Sequence, residues 1–191
     1  MKPIYYTRAH RIIHWLIAGV FLFILLTVLL RQHWMNKDHI ASIMQAQLKA
    51  RGVQLSDADA VKIGKSVRAP MWQWHVVAGY ILLGLYIIRM WIMRIQGSTF
   101  KSPFAKNLPS KERIKSSIYL LFYICFGISL VTGIILVWGS RDLHTLHKLM
   151  HDIHVKAMYY AITFVIVHLV GLVLGELGGD RGIISRMVGG K

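Results

Sequence analysis

Residues 154–168 read HVKAMYYAITFVIVH: two histidines fourteen residues apart, with a mostly apolar run between them. At ~100° per residue this spacing falls about 40° short of four full helical turns, so the imidazoles share nearly one face, roughly 21 Å apart. One apolar helix thus addresses two things at two depths. The run from Val155 to Leu177 matches the ~20 residues a helix needs to cross the hydrocarbon core, and this length decides the class of fold.

Three further runs have the same character, Ile12–Leu30, Val76–Ile95 and Ile118–Trp138, in a chain of 191 residues that is 55% hydrophobic. The expectation is an all-α integral membrane protein: a four-helix bundle forming a single domain over 1–191, with transmembrane helices at about 12–30, 76–95, 118–138 and 155–177. The first run is longer than a usual signal region. It is followed by Arg31-Gln32-His33-Trp34 where a small-residue cleavage site would stand, so it reads as retained. The single cysteine, Cys125, lies inside the third run and reads as a small apolar residue. One cysteine allows no intrachain disulfide and no C-x-x-C-H for covalent haem attachment.

A net charge of +15 in a soluble protein would suggest nucleic acid. Here the distribution points to a membrane surface instead. Basic residues gather before the first helix (Lys2, Arg8, Arg11), between the second and third (Arg94, Lys101, Lys106, Lys111, Arg113, Lys115) and after the fourth (Arg181, Arg186, Lys191). Four crossings put these segments on one side, which the positive-inside rule makes cytoplasmic, with both termini inside. The opposing loop, residues 31–70, is too long for a plain connector. Its segments HIASIMQAQLKARG (39–52) and SDADAVKIGKSV (56–67) predict two short amphipathic helices on the outer surface, the second capped by Ser56. They would act as a lid, a partner-docking surface or a route of substrate access. The inner loop QGSTFKSPFAKNLPSKE (96–112) reads as an irregular solvated connector.

An intramembrane histidine is costly and therefore a functional candidate. Four of the ten qualify: His14, His75, His154 and His168. Helix order pairs them by depth, His14 with His168 towards the inner side and His75 with His154 towards the outer. Zinc usually recruits four ligands, and neither pair has an acidic neighbour on its own helix face within the membrane. A flat iron macrocycle needs only two axial imidazoles from opposing helices. Ala18, Gly79, Ala157 and Gly171 follow the four histidines at about one turn or less and would let a wide ring approach the backbone. Other readings stay open for these residues: interhelical hydrogen bonding, a headgroup position, or a proton or metal pathway in a haem-free transporter.

The remaining histidines are less specific. His144, His147, His151 and His154 share a helical stripe that could form a surface metal site, although interfacial histidines are the plainer reading. His10 sits among Arg8 and Arg11 outside the apolar run, so His14 is preferred as the ligand, and His33 and His39 are given no role. Haem propionates need cationic partners. Arg8, Arg11, Arg89 and Arg94 are available within, and Arg68, Arg141 and Lys148 without, with Arg89, Arg8 and Arg68 the chosen candidates. Trp15, Trp72, Trp74, Trp91 and Trp138 suit the aromatic belt.

RIIHWL in the first helix, HVVAGYILLGLYIIR in the second, and HDIHVKAMYYAITFVIVH leading to RGIISRMVGGK resemble the bacterial cytochrome b561 and nickel-hydrogenase cytochrome b family. The resemblance spans all four helices but not the outer loop. It implies two b-type haems in the bacterial inner membrane, with His14, His75, His154 and His168 as axial ligands to iron, and electron exchange with quinone in a respiratory chain. The third helix, IYLLFYICFGISLVTGIILVW, lacks the histidines that some members carry there. The tail is more like the hydrogenase- and dehydrogenase-associated cytochromes than the standalone ones.

The leading expectation is therefore a di-haem electron conduit, acting as a carrier or as the membrane subunit of a dehydrogenase or hydrogenase. A soluble redox partner would dock at the outer loop, and a homo-oligomer is compatible with the sequence. The alternative is a standalone superoxide:quinone oxidoreductase, since seven basic residues of the outer loop (Arg31, Lys37, Lys49, Arg51, Lys62, Lys65, Arg68) against three acidic would steer an anion. The haem-free transporter finds few intramembrane carboxylates or hydroxyl rows to line its path.

Overall fold

The structure, a computed structural model, describes residues 6–96, 101–139, 144–178 and 181–190. Lys2, Arg141 and Lys191, counted above among the basic residues, lie outside them. The described residues form helices and no strand: α1 (Arg8–Gln32), α2 (Lys37–Lys49), α3 (Asp57–Gln96), α4 (Ser110–Trp138), α5 (His144–Val155), α6 (Ala157–Leu177) and α7 (Ile183–Val188).

Four stretches are long and apolar enough to cross a membrane: α1, α3, α4, and α5 with α6 taken together. Their most apolar windows are only 6% to 17% buried within the protein. Along α6, Leu169, Val170, Val173 and Leu174 are all more than half exposed. A surface this apolar needs a non-aqueous cover, and lipid is the solvent that supplies it. The expected all-helical membrane class is thus the observed one.

Helix bounds differ from expectation in two informative places. The second amphipathic segment of the outer loop is not a separate helix: it is the first part of α3, which runs unbroken for 40 residues with Pro70 inside it. Proline removes one backbone donor and ordinarily ends a helix. Here good capping and a long apolar continuation outweigh that loss. Ser56 Oγ accepts from the Asp59 amide at 3.1 Å and donates to the Asp59 carboxylate at 2.6 Å, a reciprocal N-terminal cap. The fourth crossing begins earlier than its apolar run, at His144, and is interrupted at Lys156 between α5 and α6.

The chain divides into two compact units, residues 1–17 with 83–191, and residues 18–82. In the second unit α2 packs on the first part of α3. Ala41 and Ala60 are buried there, and a Cβ at Gly64 would stand 2.6 Å from the Lys37 carbonyl oxygen, so only glycine permits this approach. Gln45 Nε2 closes the turn by donating to the Leu55 carbonyl at 3.2 Å and to Asp57 at 2.7 Å. Gly52, at φ +76°, makes the reversal as the sequence leads one to expect.

In the first unit α4 packs against α5 and α6. An aromatic seam joins α4 to α6, with Phe122 and Phe164 stacked at 3.6 Å between centroids. Glu176, near the end of α6, accepts from the amides of Gly182 at 2.8 Å and Ile184 at 3.4 Å and so orients α7. The α7 segment is then tied to the start of α1, where Trp15 Nε1 donates to the Met187 carbonyl and Arg11 Nη1 to the Val188 carbonyl, both at 3.3 Å.

Candidate functional site

His14 lies in the second turn of α1 and His168 near the middle of α6, and the fold brings them together. Their ring centroids are 6.2 Å apart with planes inclined at 51°. Metal–imidazole nitrogen bonds of about 2 Å on either side of one iron would put two such centroids about 6 Å apart. The separation therefore suits a shared metal and is too long for direct stacking. Aromatic rings surround the pair: Trp15 stands edge-on to His14 at 5.5 Å, Phe164 stacks on His168 at 5.6 Å, and Tyr119 meets His168 at 6.4 Å. Among the described residues neither of these two imidazoles has a hydrogen-bond partner. Beside Gly171, three residues past His168, a Cβ would meet no atom within 4 Å.

Arg89, chosen from the sequence as a propionate partner, is only 6% exposed. Its Nε donates to the Tyr123 hydroxyl at 3.3 Å, while Nη1 is buried with no hydrogen-bond partner. A buried, half-satisfied guanidinium is expensive unless an anion neutralises it. A propionate carboxylate, which accepts from Arg through charge-assisted bonds, fits that need. His10, passed over as a ligand because it sits among Arg8 and Arg11 outside the apolar run, is buried at 5% exposure. Its Nδ1 lies 3.5 Å from Gln96 Oε1, which also accepts from the Thr7 hydroxyl at 2.8 Å. Arg8 is exposed and lines an open groove of about 500 Å³ with Arg11, Ile12, Trp15, Leu16 and Val188. Arg94 and Lys148 are exposed, and Arg68 is half-buried.

His75 and His154 fall in different units, and each has its own local setting. His154, at the end of α5, places Nδ1 3.0 Å from the Ser129 carbonyl oxygen and 3.1 Å from Thr132 Oγ1, both on α4. Tyr160 supports the same turn: its hydroxyl donates to Ser129 Oγ at 3.1 Å, which donates to the Cys125 carbonyl at 3.0 Å. Gly133 makes the approach possible, because a Cβ there would lie 3.0 Å from His154 Cε1. His75, in α3, places Nδ1 2.8 Å from Thr27 Oγ1 on α1. Trp72 stacks on the His75 ring at 4.7 Å with planes 4° apart, and the Arg31 guanidinium covers Trp72 at 4.4 Å.

Thr27, Thr132, Ser129 and Gly133 escape the sequence reading. Each is a small residue in an apolar run, and only the packing reveals what it faces. His144 and His151 are exposed and His147 is half-buried along α5, and His33 and His39 are exposed. Among the described residues no three His, Cys, Asp or Glu side chains converge as a metal cluster would require.

The donor set is therefore imidazole, supported by hydroxyls, a carbonyl and one buried guanidinium, and it fits a haem better than a bare metal ion. No curated protein and no solved structure matches the chain. The model of one family, prokaryotic cytochrome b561, matches residues 5–190, nearly the whole length. With four apolar helices able to span a membrane and imidazoles positioned among them, the chain belongs to the prokaryotic cytochrome b561 family of membrane-bound haem b electron carriers.

Proposed function

We propose that this chain binds two haem b groups and moves electrons across the bacterial inner membrane to or from quinone, as a carrier or as the membrane subunit of a dehydrogenase or hydrogenase. The observation that supports it most is the approach of His14 to His168 at 6.2 Å between ring centroids. His14 and His168 would hold one haem and Arg89 would bind a propionate. His75 and His154 would hold the second, with Arg68 on α3 as a candidate propionate partner. Haem, when bound, supplies the one-electron iron couple that the side chains of this protein lack. The residues' part is to supply axial nitrogens, exclude water and set the local charge.

Quinone exchange would suit the groove lined by Arg8, Arg11, Ile12, Trp15, Leu16 and Val188, whose volume of about 500 Å³ lies within the usual range for a small-molecule site. Its lining combines two arginines with apolar side chains, and one of these, Trp15, stands edge-on to His14. The test is a reduced-minus-oxidised spectrum with pyridine haemochrome quantification on the detergent-purified chain. Two haem b per chain are expected. A folded preparation without haem would overturn the proposal and favour the haem-free transporter.

The standalone superoxide:quinone reading draws support from a different region. Lys49, Arg51, Lys62 and Lys65 are all exposed on and around α2 and the first part of α3. Such a surface would steer a small anion at a rate that falls with ionic strength. Stopped-flow reduction of the purified chain by superoxide, fast at low salt and slowed by added salt, is its expected signature, whereas a subunit role predicts no reduction until a partner is present.

A further inference from the structure

Two histidines in two different units are held by the same device. We propose that Thr27 and Thr132 are positioning residues that fix His75 and His154 as Nδ1–H tautomers and thereby reserve each Nε2 for a haem iron. The proposal rests on the haem reading above and adds to it which nitrogen ligates and what sets its donor strength.

Counting hydrogens gives the assignment. A threonine hydroxyl has one proton. Thr27 Oγ1 lies 2.6 Å from the Ile24 carbonyl, its own preceding turn, and 2.8 Å from His75 Nδ1. The carbonyl can only accept, so the hydroxyl proton goes to Ile24, and Thr27 Oγ1 must accept from His75 Nδ1–H. For His154 the assignment does not depend on a rotor at all. Its Nδ1 is 3.0 Å from the Ser129 carbonyl oxygen, which cannot donate, so Nδ1 carries the proton. Thr132 repeats the Thr27 pattern, with its hydroxyl committed to the Ile128 carbonyl at 2.9 Å or the Ser129 carbonyl at 3.1 Å and its lone pair turned to His154 at 3.1 Å. Had either hydroxyl donated to Nδ1, the proton would sit on Nε2 and that nitrogen could not ligate.

An imidazole that donates Nδ1–H to an oxygen is a stronger electron donor through Nε2, and this favours ferric over ferrous iron. The haem bound by His75 and His154 would then have the lower potential of the two. His14 and His168 have no such acceptor among the described residues, and the buried Arg89 cation works in the opposite sense by favouring the reduced iron. Electrons would therefore run downhill from the second pair, His75 and His154, to the first.

Thr27→Val and Thr132→Val keep the β-branched shape and delete only the hydroxyl. The purified full-length variants are titrated potentiometrically on the haem α band, with haem counted by pyridine haemochrome and the ferric low-spin signal followed by EPR. At wild-type haem content, one redox component should move to more positive potential in Thr27→Val and less far in Thr132→Val, where Ser129 still accepts. The other component should stay, and Thr27→Ser should behave as wild type. Loss of one haem in Thr27→Val with retention in Thr27→Ser would also support the proposal, since the hydroxyl alone separates the two. A Thr27→Val protein with two haems, unchanged potentials and an unchanged EPR signal overturns the tautomer device and leaves the di-haem reading standing. Loss of a haem in both Thr27 variants, or an equal shift of both components, overturns it as well. A wild-type chain with no haem overturns both readings.

Discussion

The two sets of histidines use one side chain in two environments. His14 and His168 sit among Trp15, Tyr119 and Phe164, with a buried Arg89 in the same unit and no hydrogen bond to either ring among the described residues. His75 and His154 are gripped at Nδ1 by hydroxyl and carbonyl oxygens. The difference teaches where a membrane protein can give identical imidazoles different surroundings. Lipid supplies neither dipoles nor screening, so a single threonine or a single guanidinium is the local field. With a haem held in each, as proposed, the first setting would favour accepting an electron and the second giving one up.

The sharpest way to break the comparison is to remove the hydrogen-bonded setting by crowding. In Gly133→Val the added methyl groups extend beyond a Cβ already only 3.0 Å from His154 Cε1. His154 must leave its place against Ser129, and the expected result is loss of one haem per chain by haemochrome count. Gly133→Ala, which needs the ring to give by a few tenths of an ångström, should retain both with weakened occupancy of one. Equal loading in wild type and Gly133→Val would show that His154 does not ligate from this position.

Removing the cation should be milder and opposite in sign to the threonine variants. Arg89→Gln keeps a hydrogen-bonding side chain but deletes the charge. At an effective dielectric of about 20, two unit charges about 4 Å apart interact by about 4 kcal/mol, and the interaction falls inversely with distance. The haem of His14 and His168 should therefore become easier to oxidise by up to about that amount, less what a bound propionate already neutralises. A redox titration with both components unmoved would remove Arg89 from the account.

Trp15→Phe is expected to do least. It deletes the indole donor to the Met187 carbonyl and keeps a ring beside His14. A hydrogen bond of this kind contributes about 0.5–1.5 kcal/mol, so α7 should become more sensitive to carboxypeptidase and limited proteolysis while haem content stays at wild type. A fall in haem content would mean that α7 supports the His14 site more directly than its contacts suggest.

Much of this was legible in the sequence, for identifiable reasons. An imidazole in a run such as ITFVIVH stands out because few other polar groups surround it, and the apolar lengths set the number of crossings. Arg89 was legible as a candidate, but its burial was not, since burial depends on Tyr123 from another helix. LLTVLL around Thr27 and SLVTGI around Thr132 offer only an isolated hydroxyl, which in a helix ordinarily bonds its own preceding turn. That bond is present in both, and it is what turns the second lone pair outward to a histidine. The segment 56–67 was legible as a helix but not as the start of the second crossing, because its polar pattern differs from that of the apolar run and the continuity of α3 through Pro70 shows only in the structure.

The central claim is that the four histidines act as two pairs, and the most direct measurement compares four single variants by their redox spectra. His14→Ala and His168→Ala should each leave one haem per chain and remove the same, higher-potential component, while His75→Ala and His154→Ala should remove the other. If His14→Ala and His75→Ala instead removed the same component, or if any of the four left both haems in place, the pairing of these histidines would be wrong.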